Sequence, residues 1–168
     1  MAAKAIDVQE FEQGLNEVTT HAGGSFTREH SGFYYQVTMN NHNYLVQAKV
    51  RRIGQQPDEK KESSTATIKN DALKELESLA EMYGSVPALG YRVIDEYYGI
   101  NDFVLITLDN HENHQRGRSV LSRTGTGRVY NGKQFSKLNL IKNDLIAAVR
   151  YDQQQYTKGN LVVKQRIV

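Results

Sequence analysis

The 168-residue sequence has no cysteine and no tryptophan. Without cysteine there is no disulfide scaffold, no Cys-ligated zinc, no iron–sulfur cluster and no thiol nucleophile. No apolar run approaches the roughly 18 residues that a membrane-spanning helix needs, so a membrane is not an expected partner. The N-terminus, Met1-Ala2-Ala3-Lys4-Ala5-Ile6-Asp7, meets acidic residues too early for a secretory signal, and cytoplasmic residence is the expectation. Acidic residues are themselves scarce in the last third. Residues 110–168 hold only Glu112, Asp144 and Asp152 against 11 Lys/Arg, a balance of +8. Residues 1–109 hold 16 acids and 10 bases, a balance of −6, so the overall +2 hides a split chain. A split of that sign points to a polyanion partner for the C-terminal third, with a solvated basic surface as the alternative.

What is present fits one domain. The length lies within the roughly 100–200 residues of a single domain, and a hydrophobic content of 39% suffices for one core. Val8, Phe11, Leu15 and Val18 recur at helical spacing, which predicts a helix over 7–20 capped by Asp7, with Glu10 three residues later. Segments 33–39 and 44–50 are rich in Tyr and Val. The turn-forming Asn40-Asn41-His42-Asn43 separates them, so the pair reads as a β-hairpin. Residues 54–64 read as a polar loop. Ile68, Ala72, Leu73, Leu76, Leu79, Ala80 and Tyr83 form a helical stripe over 67–83, ended by Gly84. Two dense apolar runs, 86–94 and 103–108, predict central strands buried on both faces and joined by residues 95–102. The order to residue 109 is α-β-β-α-β-β, an α/β sandwich with a mixed sheet.

The last third is less regular. Residues 119–121 predict a short strand and 129–135 a small hairpin about Asn131-Gly132. Residues 140–151 have a helical pattern, and 161–163 with 167–168 predict a closing strand. Residues 110–168 thus read as a basic extension of the same domain as the 1–109 core.

One segment carries a specific pattern. The strand Tyr44-Leu45-Val46-Gln47-Ala48-Lys49-Val50-Arg51-Arg52 is followed by the helix over 67–83 and by Gly84-Ser85-Val86-Pro87-Ala88-Leu89. Over residues 30–109 this resembles the archaeal Holliday junction resolvases of the PD-(D/E)xK nuclease superfamily. There a strand with Glu-x-Lys leads to a helix and then a Gly-x-x-Pro-x-Leu-type strand. The resemblance implies a restriction-endonuclease-like core, a homodimer, and DNA, including branched DNA, as partner. It also implies magnesium held by an Asp of the first hairpin strand and the Glu of the second. Such a metal activates water and neutralises developing charge, with the lysine stabilising the phosphate.

Lys49 matches the family lysine, but Gln47 stands where the glutamate belongs, and the strand over 31–39 contains no acid. Glu29 lies just before that strand, and Glu10, Glu12 and Glu17 lie on the first helix. The sequence keeps the frame and loses the metal site, so no metal or other cofactor is expected. The expected function is DNA binding without hydrolysis. The alternatives are an active magnesium-dependent endonuclease, with Glu29, Glu10 or Glu12 brought to Lys49, and an assembly protein that reuses the fold.

The basic candidates for phosphate contacts are Arg51 and Arg52 at the end of the Lys49 strand and, interleaved with glycine, Arg116, Arg118, Arg123, Arg128, Lys133 and Lys137. Such residues bind backbone by bidentate hydrogen bonds and counterion release. Thr124-Gly125-Thr126-Gly127-Arg128 lacks a Walker lysine and reads as a hairpin turn. His111 and His114 sit in a polar loop without a third ligand and read as exposed. Of the tyrosine pairs, Tyr34-Tyr35 and Tyr97-Tyr98, strand packing is the first reading and base stacking the second.

Overall fold

The computed structural model describes residues 4–29, 32–54, 64–112, 121–135, 145–151 and 160–162. The chain opens with helix α1 (Ala5–Ala22), whose buried Phe11, Leu15 and Val18 are the apolar positions of the sequence stripe. Its N-cap is Lys4 and not Asp7. Asp7 lies in the first turn, where its charge complements the helix dipole. Gly23, at φ 72°, ends the helix.

Three strands follow: β1 (Ser25–Arg28), β2 (Tyr34–Met39) and β3 (His42–Ile53). Asn40 and Asn41 both have positive φ, the backbone that a two-residue hairpin turn requires. Strand β4 (Thr65–Lys69) then precedes helix α2 (Asn70–Tyr83). Residues 67–69 are therefore strand, where the stripe predicted helix. The alternation Thr65-Ala66-Thr67-Ile68 buries Ala66 and Ile68 and lets the β-branched residues pair across a sheet. Strands β5 (Val86–Asp95) and β6 (Ile100–Thr107) form an antiparallel hairpin, its turn shorter than the sequence suggested. Every residue of β6 is buried.

Beyond β6 lie the short helix α3 (Leu108–Glu112), strands β7 (Leu121–Thr124) and β8 (Gly127–Asn131), the short helix α4 (Gly132–Phe135), and strands β9 (Ala147–Arg150) and β10 (Asn160–Val162). Two expectations change here. The hairpin turns at Gly125-Thr126, as the glycines there suggested, and not at Asn131-Gly132, where Asn131 instead accepts the Lys133 N–H and opens α4. Residues 147–150 are strand, because Ala147, Ala148 and Val149 are buried on both sides in a sheet interior that helical periodicity does not describe. The expected loop over 54–64 and the candidates Arg116, Arg118 and Lys137 lie largely or wholly outside the described residues.

The strands make two sheets. Seven run in the order β1-β2-β3-β5-β6-β9-β10, and three in the order β4-β8-β7. In the larger sheet β3 and β5 are parallel, and the segment holding α2 makes the crossover between them. The other neighbours are antiparallel. One face is covered by α1, whose Phe11 packs on Phe33, Tyr35 and Phe103. A Cβ at Gly14 would overlap the Phe103 ring, so this glycine sets how closely α1 approaches β6. The other face is covered by α2 and the small sheet, with Leu73 and Leu76 over Leu45, Leu89 and Ile106. The result is a mixed central sheet between helices, with β9 and β10 of the basic third completing it.

Candidate functional site

Strand alternation decides which side chains can meet. On β3, Tyr44, Val46 and Ala48 face α1, while Leu45 faces α2. Gln47, Lys49 and Arg51 therefore share the α2 face, and Arg52 shares the α1 face. Arg52 is bound there by α1 itself: its Nη1 lies 2.6 Å from Asp7 Oδ1 and 2.8 Å from Glu10 Oε1. The hydrogen bond to Asp7 is the main cause that raises the Arg52 pKa. Arg51 instead donates to the Thr65 carbonyl of β4 at 3.0 Å. Strand β2 begins opposite Gln47, so residues 49–53 of β3 extend past it, paired on the other side with β5. Lys49 is exposed in this projecting part.

The glutamates do not converge on Lys49. Glu12 accepts the Tyr35 hydroxyl at 2.9 Å on the α1 face, so the sheet lies between it and Lys49. Glu10 holds Arg52 on that same face. Glu29 is on the α2 face, continuing a cross-strand row through Tyr34 to Gln47. Its carboxylate leans away from Lys49, though, accepting from Gln36 at 2.5 Å and from the Tyr83 hydroxyl at 3.0 Å. Neighbouring strands are about 4.8 Å apart, so two strand spacings separate Glu29 from Gln47, with Tyr34 of β2 between. The Tyr34 hydroxyl donates to Glu75 of α2 at 2.6 Å. Burial, then the bond to Glu75, raises the Tyr34 pKa, and burial with Glu12 does the same for Tyr35.

A hard dication needs several anionic oxygens at one point. Gln47 offers the neutral oxygen Oε1, which is buried and lacks a hydrogen-bond partner among the described residues. Among the described residues no three His, Asp or Glu side chains come together as a metal site. Among the described residues, the donor beside Lys49 is one neutral amide oxygen and not the set of anionic oxygens that magnesium takes.

The basic candidates divide. Arg123 and Lys133 are exposed, but Arg128 is only 7% exposed, with its Nε buried. His111 is likewise buried at 1%, not exposed as its polar neighbours suggested. The short helix α3 carries it inward, where its Nε2 lies 3.1 Å from the Tyr91 hydroxyl. His114 is outside the described residues.

The strongest polar cluster was not among the sequence candidates. Asp102 on β6 is 0% exposed. It accepts Arg150 Nε at 2.5 Å, Arg150 Nη2 at 2.7 Å and the Tyr130 hydroxyl at 2.7 Å. Three donors aimed at two oxygens are the geometry of a carboxylate. Burial pushes the Asp102 pKa above its ordinary value, against the pull of Arg150, Tyr130 and Arg92. Burial works against the Arg150 guanidinium, but its bonds and attraction to Asp102 outweigh this and raise its pKa. On the opposite face Arg92 is fully buried, donating to the Glu10 carbonyl, Asn101, Gln13 and the Asp102 carbonyl. For Arg92 the signal was in the sequence, since a charge inside an apolar run read as buried on both faces must be paired; Asp102 fell in the segment read as a connection.

No family model and no curated protein matches the sequence. Among solved structures, that of Hjc, a Holliday junction resolvase from the archaeal hyperthermophile Archaeoglobus fulgidus, is similar at a TM-score of 0.50 and 11% identity. The match covers 82% of this chain and 94% of that one. At this identity the likeness is one of fold, and the chain has the restriction-endonuclease-like α/β fold.

Proposed function

We propose that the chain is a DNA-binding protein that uses this fold without hydrolysing DNA, acting as a homodimer on branched forms. The observation that carries the second half is the placement of acids about Lys49. Gln47 gives a neutral oxygen, Glu29 is turned toward Gln36 and Tyr83, and Glu10 and Glu12 lie across the sheet. Support for DNA comes from the fold shared with a Holliday junction resolvase and from cations at one end of the large sheet. There Lys49 and Arg51 project beyond β2, and Lys133 follows from α4. A cationic edge without a metal site binds phosphates but leaves the ester unactivated.

Gel shift and cleavage on four-way, duplex and single-stranded DNA, with and without magnesium or manganese, test this, alongside light scattering for the dimer. The expected result is four-way-junction binding that weakens steeply with salt, and no cleavage. Lys49→Ala is expected to lower the salt slope by about one. Metal-dependent cutting abolished by Lys49→Ala would overturn the inactive reading, and an absence of DNA binding would favour an assembly role.

A further inference from the structure

The turn between β5 and β6 carries two tyrosines that the core does not use. Tyr97 is 50% and Tyr98 41% exposed. Their rings meet edge to face, with centroids 4.7 Å apart and planes at 89°. The turn does not depend on those rings. The amides of Tyr97 and Tyr98 donate to Asp95 Oδ1 at 2.9 and 3.2 Å, and the Ser64 hydroxyl donates to the other Asp95 oxygen. Gly99 supplies the left-handed φ of 72°, and the Glu96 N–H donates to the Ile53 carbonyl at 2.9 Å. Almost any residue at 97 and 98 would provide the same two amides. A fully buried carboxylate thus fixes the backbone under two large aromatic rings that remain in water. Aromatic area held rigidly in solvent is the mark of a contact surface.

Charge narrows the contact, although one exposed acid, Glu96, flanks the rings. The Lys133 ammonium lies 4.0 Å from the Tyr98 ring centroid. Its helix α4 is pinned to the same place, because the Gly132 N–H donates to the Ser64 carbonyl at 2.7 Å. The end of β3 that carries Arg51 lies beside this turn, with Ile53 in register with Asp95. The ammonium caps one face of Tyr98, and the ring surface left in water beside it matches a nucleobase joined to its phosphate: the base stacks on an open ring face, and the phosphate meets the ammonium. Bases within a duplex are already stacked on one another. Bases at a branch point or in a single strand are not.

We propose that the Tyr97–Tyr98 turn, with Lys133, is a stacking platform for an unstacked DNA base. It gives the chain its preference for branched or single-stranded DNA over duplex. This rests on the DNA-binding reading above.

The test compares wild type, Tyr97→Ala/Tyr98→Ala and Tyr97→Phe/Tyr98→Phe. Affinity is measured for a four-way junction with 2-aminopurine at the branch point and for a linear duplex of equal length. The Ala pair is expected to weaken junction binding about tenfold, to leave duplex binding within about twofold, and to abolish the fluorescence change of the reporter base. The Phe pair, which keeps the π-faces, is expected to match wild type. Thermal melting checks that both variants fold, as substitutions at exposed rings allow. Junction binding by the Ala pair equal to wild type, or equal weakening on both DNAs, overturns the platform and leaves DNA binding standing. A change in self-association by sedimentation in place of base stacking also overturns it, in favour of a protein contact. Failure of wild type to bind any DNA overturns both readings.

Discussion

Asp102→Ala removes the carboxylate on which Arg150 and Tyr130 converge, and its cost can be worked from the geometry. The mutation leaves the Tyr130 hydroxyl buried without its acceptor, and strips the Arg150 guanidinium of two of its three hydrogen bonds, keeping the one to the Gly132 carbonyl at 2.6 Å. Breaking a buried ion pair by removing one partner costs about 3–5 kcal/mol. The Arg150 side chain is 22% exposed, so water partly replaces the lost partner and the low end, about 3 kcal/mol, is expected. For a chain of this length that lowers Tm by roughly 6–12 °C, at about 2–4 °C per kcal/mol. The pair itself is a different matter. Burial outweighs Arg150 in setting the Asp102 pKa, so the folded state favours the protonated acid more than the unfolded state does. That contribution to stability is present in acid and lost as pH rises through the raised pKa, so acidification does not destabilise the protein through Asp102. It follows that Asp102→Leu combined with Arg150→Met and Tyr130→Phe should recover most of what Asp102→Ala loses. Urea and thermal unfolding of the single and triple variants measure both. A single-variant loss below about 1 kcal/mol, or a triple variant no better than the single, would refute the reasoning.

Three further outcomes are expected. Gly14→Ala places a methyl group in the Phe103 ring and should cost about 1–3 kcal/mol, read from the urea midpoint at unchanged m-value. Asn41→Ala puts a residue that resists left-handed backbone at φ 66°, and should lose about 1–2 kcal/mol, while Asn41→Gly should match or exceed wild type in Tm. Tyr34, Tyr35, Tyr91 and Tyr130 all have pKa values raised by burial above the ordinary tyrosine value. Their stabilising contribution is complete below pH ~10 and lost as pH rises above it. Absorbance at the phenolate band should therefore show these rings ionising together with alkaline unfolding, and ionisation in the folded protein near the ordinary value would contradict their burial.

The centre of the larger sheet, β2, β3, β5 and β6, was legible in the sequence with the helix α1 because their patterns are long. The 33–50 hairpin, the α1 stripe and the twin apolar runs of β5 and β6 each carry enough residues to identify themselves. β4 was not legible, because Thr65–Lys69 runs without a break into the α2 stripe, and Ile68 fits either period. Residues 147–150 were misread because a strand buried on both faces has no alternation to show. The alternation Tyr44, Val46, Ala48 against Leu45, Gln47, Lys49 makes the faces of β3 legible. What occupied them was not: spacing places Arg51 and Arg52 next to each other, but only the alternation of a formed strand sends Arg52 to Asp7 and Glu10. The Asp102 cluster joins residues 48 apart along the chain, a distance at which local pattern has no purchase.

The charge split also changes meaning in three dimensions. Part of the +8 of the last third is spent inside the protein, because Arg128 is buried and Arg150 is neutralised by Asp102, an acid of the other segment. Both helices, meanwhile, carry acids at the surface, the half-buried Glu17 on α1 and the exposed Asp71, Glu75, Glu77 and Glu81 around Lys74 on α2. A polyanion approaching either helical face meets its own sign of charge. The sheet end differs: Lys49 and Lys133 are exposed there, Arg51 lies between strands β3 and β4, and the Tyr97–Tyr98 turn stands beside them. Among the described residues these cations, with the exposed Glu96 beside them, make the edge where β3 outruns β2 the proposed surface for a DNA backbone. If Lys49→Ala and Lys133→Ala each lower the salt slope of DNA binding while Lys74→Ala on α2 does not, the edge is the binding surface; equal effects at all three would make attraction diffuse and the edge incidental.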